Sequence, residues 1–310
     1  MHVILAGGTG LIGQAVAQNL IADGHQVTVL SRSPERQQGR MAAGVALRQW
    51  DGRTAEGWAD VVETAAAIMN LAGENLAGYN YLPERWTDEK RQAIRSSRLN
   101  AGNAVVEAIY GAKNKPAAVI QASAVGYYGY GGDRVLTESA VPGDDWLASV
   151  AVDWEAATAE VEKLGVRRVI MRTGLLLTPE GGPLQRMLPP FKLFVGGPFG
   201  SGNQWWPWIH LMDEVRAIRF LLENEAASGP YNLTAPMPVR NRDFARALGR
   251  ALGRPALIPV PGFAMKLLFG EVANLVLDGQ RAIPQRLEQA GFAFRFHDPE
   301  QALRDLLGRT

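Results

Sequence analysis

The chain contains no cysteine among its 310 residues. Disulfides, thiolate metal sites and cysteine nucleophiles are therefore excluded. Histidine is scarce: His2, His25, His210 and His297 are scattered and none has HExxH spacing, so no dedicated metal site is expected. Long apolar runs are absent as well, since none approaches the ~18 residues that span a bilayer. An excess of either charge is also missing. The 32 Lys and Arg balance 31 Asp and Glu, leaving a net +1 and no electrostatic case for nucleic acid or an anionic membrane surface. The opening apolar run has no basic segment before it and breaks into glycine, unlike a signal peptide. These absences point to a cytoplasmic protein whose partner is a small molecule, with no metal, no nucleic acid and no membrane. A homodimer is compatible with them.

What is present is alternation. Residues 2–6, 26–30, 45–50, 67–71, 118–122 and 166–173 read as strands, and 11–23, 84–110 and 145–164 as helices. That order predicts an α/β fold, a Rossmann-type doubly wound parallel sheet. After Thr173 the texture changes. Residues 178–204 are rich in Gly and Pro and read as an irregular folded loop over the sheet edge. Helices then dominate, at 213–224, 241–252, 264–277 and 299–307. The expected organisation is a first domain over residues 1–175, with segments about 205–235 returning to it. A smaller, mainly helical C-terminal lobe, with the cleft loop, occupies 176–310.

Between the first strand and the first helix lie Gly7, Gly8, Thr9, Gly10, Leu11, Ile12 and Gly13. Glycine permits the tight turn, lets backbone amides reach a pyrophosphate, and brings helix close to strand. The helix N-terminus adds free donors and a favourable dipole. A dinucleotide is the expected ligand. NAD sites place Asp or Glu ~20 residues past the glycines, on the ribose 2′-hydroxyl. Here the second strand ends Leu30-Ser31-Arg32 with no acid until Glu35. Ser31 can donate to a 2′-phosphate, and Arg32 can pair with it or stack on adenine. The expected cofactor is NADP(H). As an alternative, Arg32 is a solvated loop residue.

The chain resembles the extended short-chain dehydrogenase/reductase superfamily, and within it the atypical branch called the NAD-dependent epimerase family. The branch includes members of uncharacterised activity with a C-terminal module of unknown function. The resemblance rests on residues 7–13, on Asn70-Leu71-Ala72-Gly73-Glu74-Asn75 and on Ser97-Arg98. It continues through residues 123–129, Met171-Arg172-Thr173-Gly174, residues 196–202, Trp208-Ile209-His210 and Val239-Arg240-Asn241. It implies that Leu71, Ala72 and Gly73, with Glu74 after them, lie beneath the cofactor, and that Asp51 lies near the adenine. It implies that Arg98 approaches the cofactor phosphates or the substrate, that Ser123 bonds substrate, and that Arg172 borders the nicotinamide end.

One element of that pattern is absent. The family's Tyr-x-x-x-Lys pair supplies a proton and lowers the tyrosine's pKa. The matching positions hold Trp146 and Val150, and the nearest lysine is Lys163. Indole cannot supply the proton. Tyr128 and its neighbour Tyr127 are the candidate replacements, unless both merely pack their loop. His210 is a further candidate, which the resemblance instead places as a helix anchor with Asp213. Glu74 and Asn75 either orient substrate or cap. Trp205, Trp206 and Trp208 either pack the two lobes together or wall a flat ligand. The expected function is an NADP(H)-dependent oxidoreductase or epimerase acting on a small molecule. The alternative is a non-catalytic NADPH-binding sensor or scaffold.

Overall fold

Strand β1 (His2–Ala6) sends Val3 and Leu5 into one core and Ile4 and Ala6 into another. A strand apolar on both faces needs helices on both faces. The computed structural model describes residues 1–309 and shows that arrangement. Six further strands complete the sheet: β2 (Gln26–Ser31), β3 (Ala46–Gln49), β4 (Ala67–Asn70), β5 (Ala118–Ala124), β6 (Arg167–Thr173) and β7 (Gly229–Leu233). Their order is β7-β6-β5-β4-β1-β2-β3, with every pair parallel. The winding reverses between β1 and β4, so a crevice opens there at the strand C-termini.

The helices α1 (Leu11–Ala22), α2 (Asp88–Gly111), α3 (Trp146–Ala156), α4 (Gly182–Lys192) and α5 (Leu211–Glu223) follow in chain order. Val16 and Leu20 of α1 and Ile218 and Leu221 of α5 cover one face of the sheet. Ala101, Ala104 and Val105 of α2 cover the other. The small residues on α2 let it lie close to the strands. A third core belongs to the C-terminal lobe, where Leu184, Met187 and Phe191 of α4 meet Phe244 and Leu248 of α6 (Asn241–Leu252). The lobe also contains α7 (Gly262–Phe269) and α8 (Pro299–Leu306).

Several expectations need correction. The segment 178–204 is not irregular throughout, because α4 lies within it and carries Pro189 and Pro190 inside. A proline at 190 cannot donate to the carbonyl of Arg186. Tyr81 does so instead, its hydroxyl donating to that oxygen at 2.8 Å. Burial of the apolar face made by Leu184, Met187, Leu188 and Phe191 outweighs the prolines. The helix expected from residue 84 begins at Asp88, where Thr87 caps it by accepting from the Lys90 amide. The helix expected over 145–164 is α3 followed by a separate 3₁₀ segment, Ala159–Leu164. The helix expected over 264–277 breaks at Gly270, whose φ of 65° leaves the helical region. Strand β7 opens Gly-Pro and lacks alternation, so it carries little sequence signal.

Candidate functional site

The glycine turn serves two purposes. Gly7 has φ 79°, and a Cβ there would meet the Leu71 carbonyl carbon at 2.6 Å. A Cβ on Gly8 would strike Val29 at 2.7 Å, and one on Gly13 would strike the Gly8 Cα at 2.5 Å. These three glycines are required by the packing of turn, strand and helix. Gly10 differs. Its φ is −79°, and a Cβ there would meet only the Gly7 oxygen, at 3.4 Å. The protein leaves that side of Gly10 open, directly at the start of α1, where no side chain caps the helix. Such a cradle suits a diphosphate, whose oxygens take the free amides. Thr9 contributes its carbonyl to the Gln14 side chain at 2.6 Å, while Leu11 packs beside Gly181 and Ile12 joins the core.

At the end of β2, Ser31 is buried and its hydroxyl accepts from the Ser33 amide at 3.2 Å. Arg32 follows with an exposed side chain. Asp51 is engaged by its own loop, accepting from the Arg53 and Thr54 amides at 2.7 and 2.9 Å. Those bonds, Thr54 first, hold its carboxyl below the usual range.

After β4 the chain passes Leu71 and Ala72, both half-buried, to Gly73. A Cβ at Gly73 would lie 3.1 Å from the Arg98 guanidinium carbon. Arg98 comes from α2, is 8% exposed, and rests on the Trp154 ring at 4.6 Å. It donates only to two carbonyls, those of Ile94 at 2.9 Å and Glu74 at 3.1 Å. Burial lowers its pKa to about 10, against the pull of Glu74. The Glu74 carboxylate is bound elsewhere, to Lys90 at 2.7 Å and to the Tyr79 hydroxyl at 3.3 Å. Among the described residues no carboxylate pairs with Arg98. Asn75 closes a turn by accepting from the Ala77 amide.

At the end of β5 the arrangement is the reverse. Ser123 donates to Glu155 at 2.7 Å. Glu155, on α3, accepts from Nε and Nη2 of Arg172, one on each oxygen, at 2.8 and 2.9 Å. Arg172 also donates to the Tyr128 hydroxyl at 3.0 Å and to the Glu138 carbonyl. Tyr128 in turn donates to Asn232 at 2.7 Å. All five side chains are buried. Burial pushes the Tyr128 phenol up to about 12. Burial also opposes the charge of Arg172, yet its bonds to Glu155 and Tyr128 keep it firmly protonated. Tyr127 lies beside this network with its ring 3.5 Å from the Arg172 guanidinium carbon. Its hydroxyl takes no partner among the described residues, and the residue is half-buried.

On α3, Trp146 packs against Trp86 at 4.9 Å with Arg91 over its ring, and Val150 is buried. Lys163 points away, to Glu160 at 2.8 Å. His210 caps α5, its Nδ1 accepting from the Met212 amide at 2.9 Å, and it stacks on Phe296. Asp213 accepts from the Arg295 and Phe296 amides. Trp206 and Trp208 lie in the C-terminal core, whereas Trp205 sits between the guanidinium groups of Arg240 and Arg281. Glu214 is fully buried, bonded to Thr173 at 2.8 Å, and its second oxygen has no partner among the described residues. Burial raises its carboxyl to about 8. Among the described residues no three His, Asp or Glu converge to hold a metal ion, and no helix is long and apolar enough to cross a membrane.

Sequence reasoning missed Glu155. The available signal was Arg172 itself, a charge directly after the apolar run Val169–Met171, which requires a buried acid nearby. Spacing alone gave no hint of which acid.

Comparison with known proteins accords with this geometry. The family described as "NAD dependent epimerase/dehydratase family" matches residues 3–234, and a domain of unknown function, DUF1731, matches 260–306. The epimerase family protein YfhF of Bacillus subtilis is 38% identical, over 99% of this chain and 98% of its own. The chloroplastic epimerase family protein SDR39U1 homolog of Arabidopsis thaliana is 37% identical, over 99% of this chain and 87% of its own. A crystal structure of human epimerase family protein SDR39U1 with NADPH superposes with a TM-score of 0.86 at 33% identity, covering 100% of both chains. With its sheet order, glycine turn and C-terminal module together, this chain belongs to the NAD dependent epimerase/dehydratase family.

Proposed function

We propose that the chain binds NADP(H) across the β1/β4 crevice and carries out a redox step on a small carbonyl or alcohol, as an oxidoreductase or epimerase. The observation that carries this reading is Arg98, a buried guanidinium beside Gly73 that no carboxylate bonds among the described residues. A buried charge left unpaired by the fold is costly, and an anionic ligand removes that cost. The open side of Gly10 supports the same ligand. The NADPH carried by the human relative supports the choice of cofactor. Gly10 and the first turn of α1 would hold the pyrophosphate, Ser31 and Arg32 the 2′-phosphate, and Arg98 a phosphate or an anionic substrate group. Bound NADP(H) supplies or takes up hydride.

The proton needs a residue of this chain. Tyr127 is proposed in place of Tyr128, because the Tyr128 hydroxyl is buried between Arg172 and Asn232 whereas that of Tyr127 is unpaired. Ser123 commits its own proton to Glu155, so it can meet a substrate hydroxyl only as an acceptor. The closed Ser123–Glu155–Arg172–Tyr128 network also favours a second reading, a non-catalytic NADPH-binding sensor or scaffold.

Calorimetry with NADPH and NADH tests the shared premise, and absence of heat for both overturns both readings. Turnover of NADPH against a panel of carbonyls, enones and quinones, lost in Tyr127→Phe, supports the enzyme. Tight binding with no turnover, and a melting temperature raised by NADPH, supports the sensor.

A further inference from the structure

The near-zero net charge conceals two segments without an acid. Residues 181–212 contain two charged side chains, Arg186 and Lys192, and no acid. Residues 254–270 contain Arg254 and Lys266, and again no acid. The fold brings these two segments together. The amide of Ile258 donates to Gly196 at 3.2 Å, that of Val260 to Pro198 at 2.9 Å, and that of Gly200 to Val260 at 2.9 Å. Arg254 lies over the Phe194 ring at 4.5 Å.

The shared face is apolar and uncovered. Leu257 is 81% exposed, Phe263 78%, Leu267 72% and Leu193 71%, with Phe194 and Leu268 also exposed. Phe194 holds a φ of 65°, a conformation that favours glycine, and its ring stands at the surface. Soluble monomers rarely expose so large an apolar patch without a partner.

We propose that this face docks on an anionic lipid bilayer surface. Phenylalanine and leucine at the tip with lysine and arginine around them are the side chains that enter the acyl boundary and the headgroup layer respectively. No acid within either segment opposes an anionic surface, and of the acids just beyond, Glu271 is paired with Arg91 and Asp278 is half-buried near Lys266. A second copy of the chain fits less well. A twofold contact through this face would bring two sets of Lys192, Arg254 and Lys266 together with no acid from either segment to pair them.

Flotation of the full chain with vesicles of equal parts phosphatidylglycerol and phosphatidylcholine tests the proposal, with pure phosphatidylcholine as the control. Binding is expected to the anionic vesicles and to fall as salt rises. The double variant Leu267→Asp/Leu268→Asp should weaken it at least about tenfold. Lys192→Glu and Lys266→Glu should each weaken binding to the anionic vesicles about fivefold and narrow the preference for anionic lipid. Retained NADPH-free melting temperatures show that these exposed substitutions leave the fold intact. No recovery of the wild type with vesicles overturns the proposal, as does binding that none of the variants alters. Self-association in sedimentation velocity that these same substitutions abolish, without lipid binding, assigns the face to a second copy and overturns it equally.

Discussion

Two buried arginines stand at the ends of strands that flank β5, and they are treated oppositely. Arg172, at the end of β6, grips both oxygens of Glu155 through Nε and Nη2. Arg98, reaching the chain just after β4, has two carbonyls and no acid. On the proposed reading, the contrast separates scaffold from site. A charge neutralised within the fold holds elements together; a charge left over awaits a ligand. Glu214 shows a third outcome, a buried carboxyl that takes one hydroxyl, that of Thr173, and no cation among the described residues, and that burial pushes up to about 8.

The contrast breaks most sharply under substitution. Arg172→Ala leaves Glu155 buried and unpaired, and should cost ~3–5 kcal/mol in denaturant unfolding. Arg98→Leu should do the opposite for the ligand-free protein, leaving its stability equal or higher. The same variant should lose about 10–100-fold in NADPH affinity by calorimetry, the worth of charge-assisted bonds. A large loss of stability in Arg98→Leu would remove the distinction between the two arginines.

Glu214 sharpens the rule through pH. Its folded pKa, raised to about 8, lies above the unfolded value of 4.5. Its contribution to stability is therefore full below pH 4.5 and is lost as pH rises toward 8. One proton gives a slope of at most ~1.4 kcal/mol per pH unit. Glu214→Gln should flatten that part of the stability profile, measured by melting across pH 5 to 9 (roughly the span of the titration). The smallest effect belongs to the glycines. Gly10→Ala should fold normally and lose roughly tenfold or less in NADPH affinity. Gly13→Ala, which forces a Cβ to 2.5 Å from Gly8, should cost ~1–3 kcal/mol in stability itself.

The legible parts of the molecule were the local ones. Strand, glycine turn and helix at residues 2–22 are contiguous, so the requirement for glycine shows in the sequence. The order of strands and helices likewise gave the parallel sheet. Pairings across the fold were hidden. Glu155 lies 17 positions from Arg172, on another element, and only the packing of α3 on β5 and β6 joins them. Two prolines concealed α4, because the partner that satisfies its free carbonyl comes from residue 81. Near-neutral composition concealed the two acid-free segments, because charge balance is a sum over the whole chain. Tyr128 looked available from its place in the chain, and its hydroxyl is enclosed by residues 44 and 104 positions away.

The bond from Tyr81 to the Arg186 carbonyl ties the segment before α2 to the C-terminal lobe. Arg186 returns the tie by donating to the carbonyls of Gly78 and Asn80. Drawing that segment away from the crevice therefore strands an oxygen that the helix's own backbone cannot serve. Strap and lobe must travel as one rigid piece, or water must enter at the hinge.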